Sequence, residues 1–125
     1  MSDAERRARG NRHFEEVTGL PAFEPQDLFT AATLDQVFGD VWSRPGLSRR
    51  DRRLLSLAIV ATRGLDFEVR THLKGALESG DVPPAEMAEI VYHVAHYAGW
   101  PCASVLHRHF RELCAELGLE VPAVE

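Results

Sequence analysis

Apolar residues recur every three or four positions along most of the chain, and no stretch alternates strictly, so the pattern predicts helices throughout. Residues 3–17 form a charged, peripheral helix stopped by Thr18-Gly19-Leu20-Pro21. Residues 25–41 carry Leu28, Phe29, Leu34, Val37, Phe38 and Val41 before Ser43-Arg44-Pro45-Gly46-Leu47 breaks the chain. Ser48, with Asp51 three residues on, marks a helix start. The helix that follows to Arg63 holds Leu54, Leu55, Leu57, Ala58, Ile59, Val60 and Ala61, which predicts a central element buried on nearly all sides. Residues 66–79 set Val69, Leu73, Ala76 and Leu77 on one stripe and stop at Gly80. Pro83-Pro84 opens a helix to Ala98 with Met87, Ile90, Val91, Val94, Ala95 and Ala98 on its core face. After Gly99-Trp100-Pro101 a last helix buries Val105, Leu106, Phe110, Leu113 and Leu117, and Gly118 closes it. The expectation is an all-α bundle of about six helices in a single domain spanning residues 1–125.

With 125 residues and 45% hydrophobic content the chain supports one core, but it is small for a protein that must also enclose a substrate. Self-association is therefore expected. A net charge of −5 argues against nucleic-acid or anionic-membrane binding. Two basic runs cut the other way, Arg6-Arg7-Ala8-Arg9 and Arg49-Arg50-Asp51-Arg52-Arg53. The second sits at a helix N-terminus, where the dipole disfavours cations. Inter-subunit ion pairs account for it, as does an Arg53 that faces a pocket and binds a carboxylate; a helix-turn-helix DNA contact is the distant rival. The N-terminus lacks a secretory apolar region, and the run Leu54 to Ala61 is too short to cross a bilayer. Cys102 and Cys114, if both on one helix, stand about 18 Å apart, beyond the roughly 7 Å reach of a disulfide. Two isolated cysteines suit a reducing cytoplasm.

Glu68 and His72 are four apart, so on a helix they share a face, and His72 borders the stripe of Val69, Leu73 and Ala76. A carboxylate beside a partly buried imidazole fixes its tautomer and raises its pKa, giving a proton donor near neutral pH. The plain alternative is a surface Glu–His pair or a satisfied core histidine. Arg44, held between Trp42 and Pro45, reads equally as a carboxylate clamp or as a surface guanidinium stacked on Trp42. His96, Tyr97 and Trp100 end the fifth helix, where they form a pocket wall or an interface. Glu89, His93 and His96 have a spacing a metal can use, yet Glu86 and Glu89 make that face simply polar, and no metal is expected.

Several runs together carry a resemblance. They are Phe38-Gly39-Asp40-Val41-Trp42-Ser43-Arg44-Pro45-Gly46-Leu47, then Glu68-Val69-Arg70-Thr71-His72-Leu73-Lys74-Gly75-Ala76-Leu77, Glu89-Ile90 and Tyr97-Ala98-Gly99-Trp100-Pro101. Over residues 36–118 the chain resembles carboxymuconolactone decarboxylases of aromatic catabolism, within the alkylhydroperoxidase D-like superfamily. The resemblance implies a trimer or hexamer with sites near subunit contacts. It also implies decarboxylation of γ-carboxymuconolactone, or a related unsaturated lactone acid, without a cofactor. Glu68 with His72 is the arrangement that the decarboxylase branch shows, so the pair would be catalytic. Trp42, Arg44, Arg53, His96, Tyr97 and Trp100 are the candidate substrate-binding residues from their settings in the chain. Aligning the histidine of the peroxidase branch with His72 puts Arg53 at that branch's glutamate, and Leu65 and Glu68 at its two cysteines. Thiol peroxidase chemistry needs a thiolate and a resolving thiol, so it is not expected. The rivals are a same-fold isomerase, cyclase or decarboxylase for another keto or lactone substrate, and a non-catalytic oligomeric ligand-binding protein.

Overall fold

The computed structural model describes residues 1–124. Its elements are α1 (Asp3–Thr18), α2 (Leu28–Ala32, continuing as π-helical turns over Thr33–Val41), α3 (Arg49–Thr62), α4 (Asp66–Glu78), α5 (Pro84–Tyr97) and α6 (Trp100–Leu117). The architecture is all-α, with no strand among the described residues. Ser2 caps α1 with a full capping box, and Ser48 caps α3 by accepting from the Asp51 backbone N–H.

Helices α3 to α6 enclose the main core, built on Leu57, Leu73, Met87, Leu106, Phe110 and Leu113. A smaller core of Val17, Phe38 and Trp42, with Phe14 against it, lies between α1 and α2. The two helix backbones there nearly touch: a Cβ on Gly10 would stand 2.0 Å from the Leu34 carbonyl oxygen, so only glycine fits. Arg7 donates to both oxygens of Asp35 at 2.5 and 2.9 Å, and Arg6 pairs with Asp40.

Two expectations need correction. The helix expected over 25–41 starts at Leu28, and Leu28, Phe29, Val37 and Val41 face solvent. From Thr33 the helix bonds to the fifth residue back, as Trp42 does to Val37 at 3.0 Å. The wider turn keeps Leu34, Phe38 and Trp42, four apart, on one buried stripe. The α3 helix is not buried all round: Arg53, Leu57 and Ala61 face inward, while Leu55 and Ile59 are 53% and 57% exposed. Helix α1 is charged and partly exposed, but Val17 and Thr18 at its C-terminal end are buried, Val17 as part of the smaller core.

The basic cluster is used within the chain and not reserved for a neighbour. Arg49 pairs with Glu16 of α1 at 2.8 Å, and Arg50 with Glu86 of α5 at 2.9 Å. Arg50 also donates to the Asp81 carbonyl at 2.5 Å. These contacts fasten α3 to its neighbours despite the unfavourable dipole.

Candidate active site

A cavity of about 570 Å³ opens where α1, the segment after it, the π-helical turns and α4 meet. Phe14, Phe23, Phe38 and Phe67 give it aromatic walls, and Glu68 and His72 line it from α4. Thr18, Thr33 and Thr71 also line it, but their hydroxyls are committed. Each donates to the carbonyl four residues back, those of Phe14, Phe29 and Phe67, at 2.7, 3.0 and 2.9 Å. Of the charged or ionisable side chains, that leaves Glu68 and His72 facing the space. Helix α4 places them there because its other stripe, Val69, Leu73, Ala76 and Leu77, is buried in the core.

His72 is half-buried, and its Nδ1 is shielded from solvent without a hydrogen-bond partner. Trp42 backs the ring, nearly parallel to it. Burial pushes the imidazole below its usual pKa and Arg53 adds to this by charge, while Glu68 opposes both. The sequence pointed to the opposite sign. Glu68 is exposed at the rim and acts on His72 only through charge, with no hydrogen bond between them, so hydration loss prevails and the ring is neutral at pH 7.

The other expected residues are placed elsewhere. Arg53 is 2% exposed, and its guanidinium is turned away from the cavity lining toward α1 and the α4–α5 loop. It donates to Asp81 Oδ2 at 2.8 Å, to the Val17 carbonyl at 2.7 Å and to the Glu16 carbonyl at 3.0 Å. That leaves little donor capacity for a substrate carboxylate. Trp42 supports His72 from behind without lining the cavity, and Arg44 is exposed on its loop outside it. His96, Tyr97 and Trp100 lie at the α5–α6 junction. There the His96 ring meets Trp100 edge-on at 5.6 Å, and His96 Nδ1–H donates to the Tyr92 carbonyl at 2.8 Å. Trp100 lines a second cavity of about 510 Å³ with Tyr92 and His107. His93 stacks on Tyr97 at 4.7 Å. No group of three potential metal ligands occurs among the described residues.

The carboxymuconolactone decarboxylase family profile matches residues 28–108. This chain belongs to that family. It is 35% identical over 82 residues to a protein from Acinetobacter baylyi named 4-carboxymuconolactone decarboxylase, covering 66% of this chain and 60% of that protein. It is 38% identical over 76 residues to nitrosuccinic acid decarboxylase of Metarhizium robertsii, covering 61% of this chain and 50% of that protein. The chain thus spans half to three fifths of the length of these curated relatives.

The family region supplies α4 and the π-helical turns but not α1 or the segment that follows it. Phe14, Thr18, Leu20, Pro21 and Phe23, which close one side of the cavity, lie outside it and were not expected at the site. Phe14 and Val17 were the available signal: two apolar residues, one turn apart, in an otherwise charged helix. His109 was also unforeseen. It is 3% exposed, receives an N–H from Arg70 on Nδ1 at 3.3 Å and so donates from Nε2 to Asp66 at 2.9 Å. This contact anchors α6 to the start of α4.

Proposed function

We propose that this chain is the subunit of a cofactor-independent decarboxylase. Its substrate would be a small acid activated for CO₂ loss, with γ-carboxymuconolactone or a related unsaturated lactone acid as the leading candidate. One observation carries the reading: among the cavity's ionisable side chains, only His72 and Glu68 are free to meet a ligand, and the surrounding walls are apolar. The names of both relatives support removal of CO₂ as the reaction class.

In such a reaction the carbon–carboxylate bond breaks as CO₂ leaves. The electron pair delocalises onto the lactone carbonyl, so the substrate serves as its own electron sink. A ring N–H of His72 donates a hydrogen bond to the developing dienolate oxygen, where a poorly hydrated setting strengthens it. An incoming carboxylate offsets the cost of charging the ring, so His72 takes up a proton with the substrate and returns it to carbon. The sum is one carboxylate and one proton converted to CO₂ and a new C–H bond. Glu68, one turn earlier on the same face, biases the ring toward that uptake by its charge.

Exposed Leu55, Ile59, Tyr92, Tyr97 and Trp100 support self-association, as a trimer or hexamer. Arg44, His96, Tyr97 and Trp100 would then meet substrate in a neighbouring subunit's cavity. Free Cys102 and Cys114 support a reducing, cytoplasmic setting.

The test is CO₂ release by the purified protein, with γ-carboxymuconolactone and nitrosuccinate as separate substrates. Release from the first supports the lactone reading. Release from nitrosuccinate alone keeps the decarboxylase and moves the substrate. A protein that binds either acid without releasing CO₂ is a binding protein.

A further inference from the structure

We propose that Arg53 is a positioning residue of this site: its guanidinium pins the last turn of α1 against the cavity and holds a fixed positive charge one helical turn from His72. The inference rests on reading His72 as the working group, but its test needs no turnover.

The geometry is specific. Arg53 lies on α3, is 2% exposed, and reaches across α4 to the Val17 and Glu16 carbonyls of α1. These are C-terminal helix carbonyls, left without intrahelical partners and carrying the negative end of the dipole, so a buried cation suits them. The turn they belong to brings Phe14 and Thr18 to the cavity wall. The crossing is possible only because position 75 is glycine. A Cβ there would stand 1.8 Å from the Val17 oxygen and 2.8 Å from Arg53 Nη1. Gly75 is three residues beyond His72 and so on the same face of α4, which places the guanidinium one turn from the imidazole.

The charged groups around His72 divide by element. From α3 comes Arg53, with Arg49 beyond it committed to Glu16 and His13. From α1 come Glu16 and His13. On α4 itself, Glu68 faces the ring, whereas Lys74 pairs with Glu78 at 3.3 Å and Arg70 with Glu112 and Glu116. The π-helical turns present Phe38 and Trp42, which carry no charge. Asp81 is the counter-ion of Arg53 at 2.8 Å, and at 36% exposure of its side chain it is partly screened by water. Arg53 is therefore the cation whose charge reaches the ring, and its pull acts with burial to keep His72 neutral.

Three full-length variants separate the two roles, read by NMR titration of the His72 ring and by amide exchange. Arg53→Met removes the charge and keeps the stem: the His72 midpoint should rise by roughly one pH unit. Arg53→Lys keeps a charge but not the fork of donors. Its His72 midpoint should stay near wild type, while exchange at Val17 to Leu20 quickens about tenfold or more. Asp81→Asn, in a partly exposed loop, leaves Arg53 uncompensated and should lower the midpoint further. If Arg53→Met does not fold, Asp81→Asn and Arg53→Lys still decide. A His72 midpoint unmoved in Asp81→Asn overturns the electrostatic role, and unchanged exchange in Arg53→Lys overturns the pinning role. Success here without CO₂ release would sink the decarboxylase reading while leaving this one standing.

Discussion

The Trp42 and His72 rings lie within 15° of parallel, with centroids 6.0 Å apart. Phe38 stacks on Trp42 in turn, at 6.2 Å and 15°, and Phe14 meets Phe38 edge-on at 5.1 Å. A histidine on α4 is thus seated against an aromatic column raised by the π-helical turns and completed by α1. The column holds the ring's orientation without a hydrogen bond to its Nδ1.

Removing the middle of that column should be costly. Trp42→Ala should destabilise the protein by about 3–5 kcal/mol in urea unfolding. Trp42→Phe, which keeps an aromatic face, should lose clearly less. Equal losses from the two variants would contradict the column, since a retained aromatic ring would then contribute nothing at this position.

Gly75→Ala tests the close crossing of α1 over α4. Alanine favours helix over glycine by about 1 kcal/mol, so an unhindered site would gain stability. A Cβ 1.8 Å from the Val17 oxygen forces the crossing apart instead, and a net loss of about 1–3 kcal/mol is expected. Gly46→Ala, in the turn before α3 and with nothing within 4 Å of its Cβ, is an unhindered control without the helix-propensity gain and should change stability little. A Gly75→Ala variant as stable as the control would contradict the packing described.

Much of this was legible in the sequence, and the failures have identifiable causes. Three-four spacing of apolar residues predicts α4 and α5 almost to the residue, since each buries one stripe against a single core. It misleads on α3, because Leu55 and Ile59 fit an inward pattern equally well and only tertiary placement leaves them outside. In α2 the apolar positions alone do not announce a change from α to π turns, which decides that Leu34, Phe38 and Trp42 share the inner face. The pairing of Glu68 with His72 follows from spacing. The sign of the histidine's pKa shift does not, because it depends on burial and on Arg53, which arrives from another helix. Arg53 itself looks in sequence like a candidate substrate ligand; only its three-dimensional partners give it a structural occupation.

Stability should fall between pH 7.5 and 5.5. His72 and His13 both have folded pKa values below the ordinary 6.5, chiefly through burial, with Arg53 and Arg49 the next contributors respectively. Above 6.5 both states are mostly neutral, so neither residue contributes. As pH drops through 6.5 the unfolded chain takes up protons that the folded chain resists, which favours unfolding. The carboxyls of Asp35 and Asp40, held low by Arg7 and Arg6, titrate below 3.8 and belong to a separate, more acid window. The urea midpoint measured across this range should decline less in His72→Asn and least in a His72→Asn/His13→Asn double variant. A midpoint that stays flat, or rises on acidification, would contradict the assignment of neutral rings.

The central claim is tested most directly by the rate of CO₂ release from wild type and from His72→Asn, each shown to be folded, on the acid that the wild type turns over. A loss of at least ~100-fold is predicted, in line with removal of a group that transfers a proton. A folded His72→Asn protein releasing CO₂ at close to the wild-type rate would contradict the account.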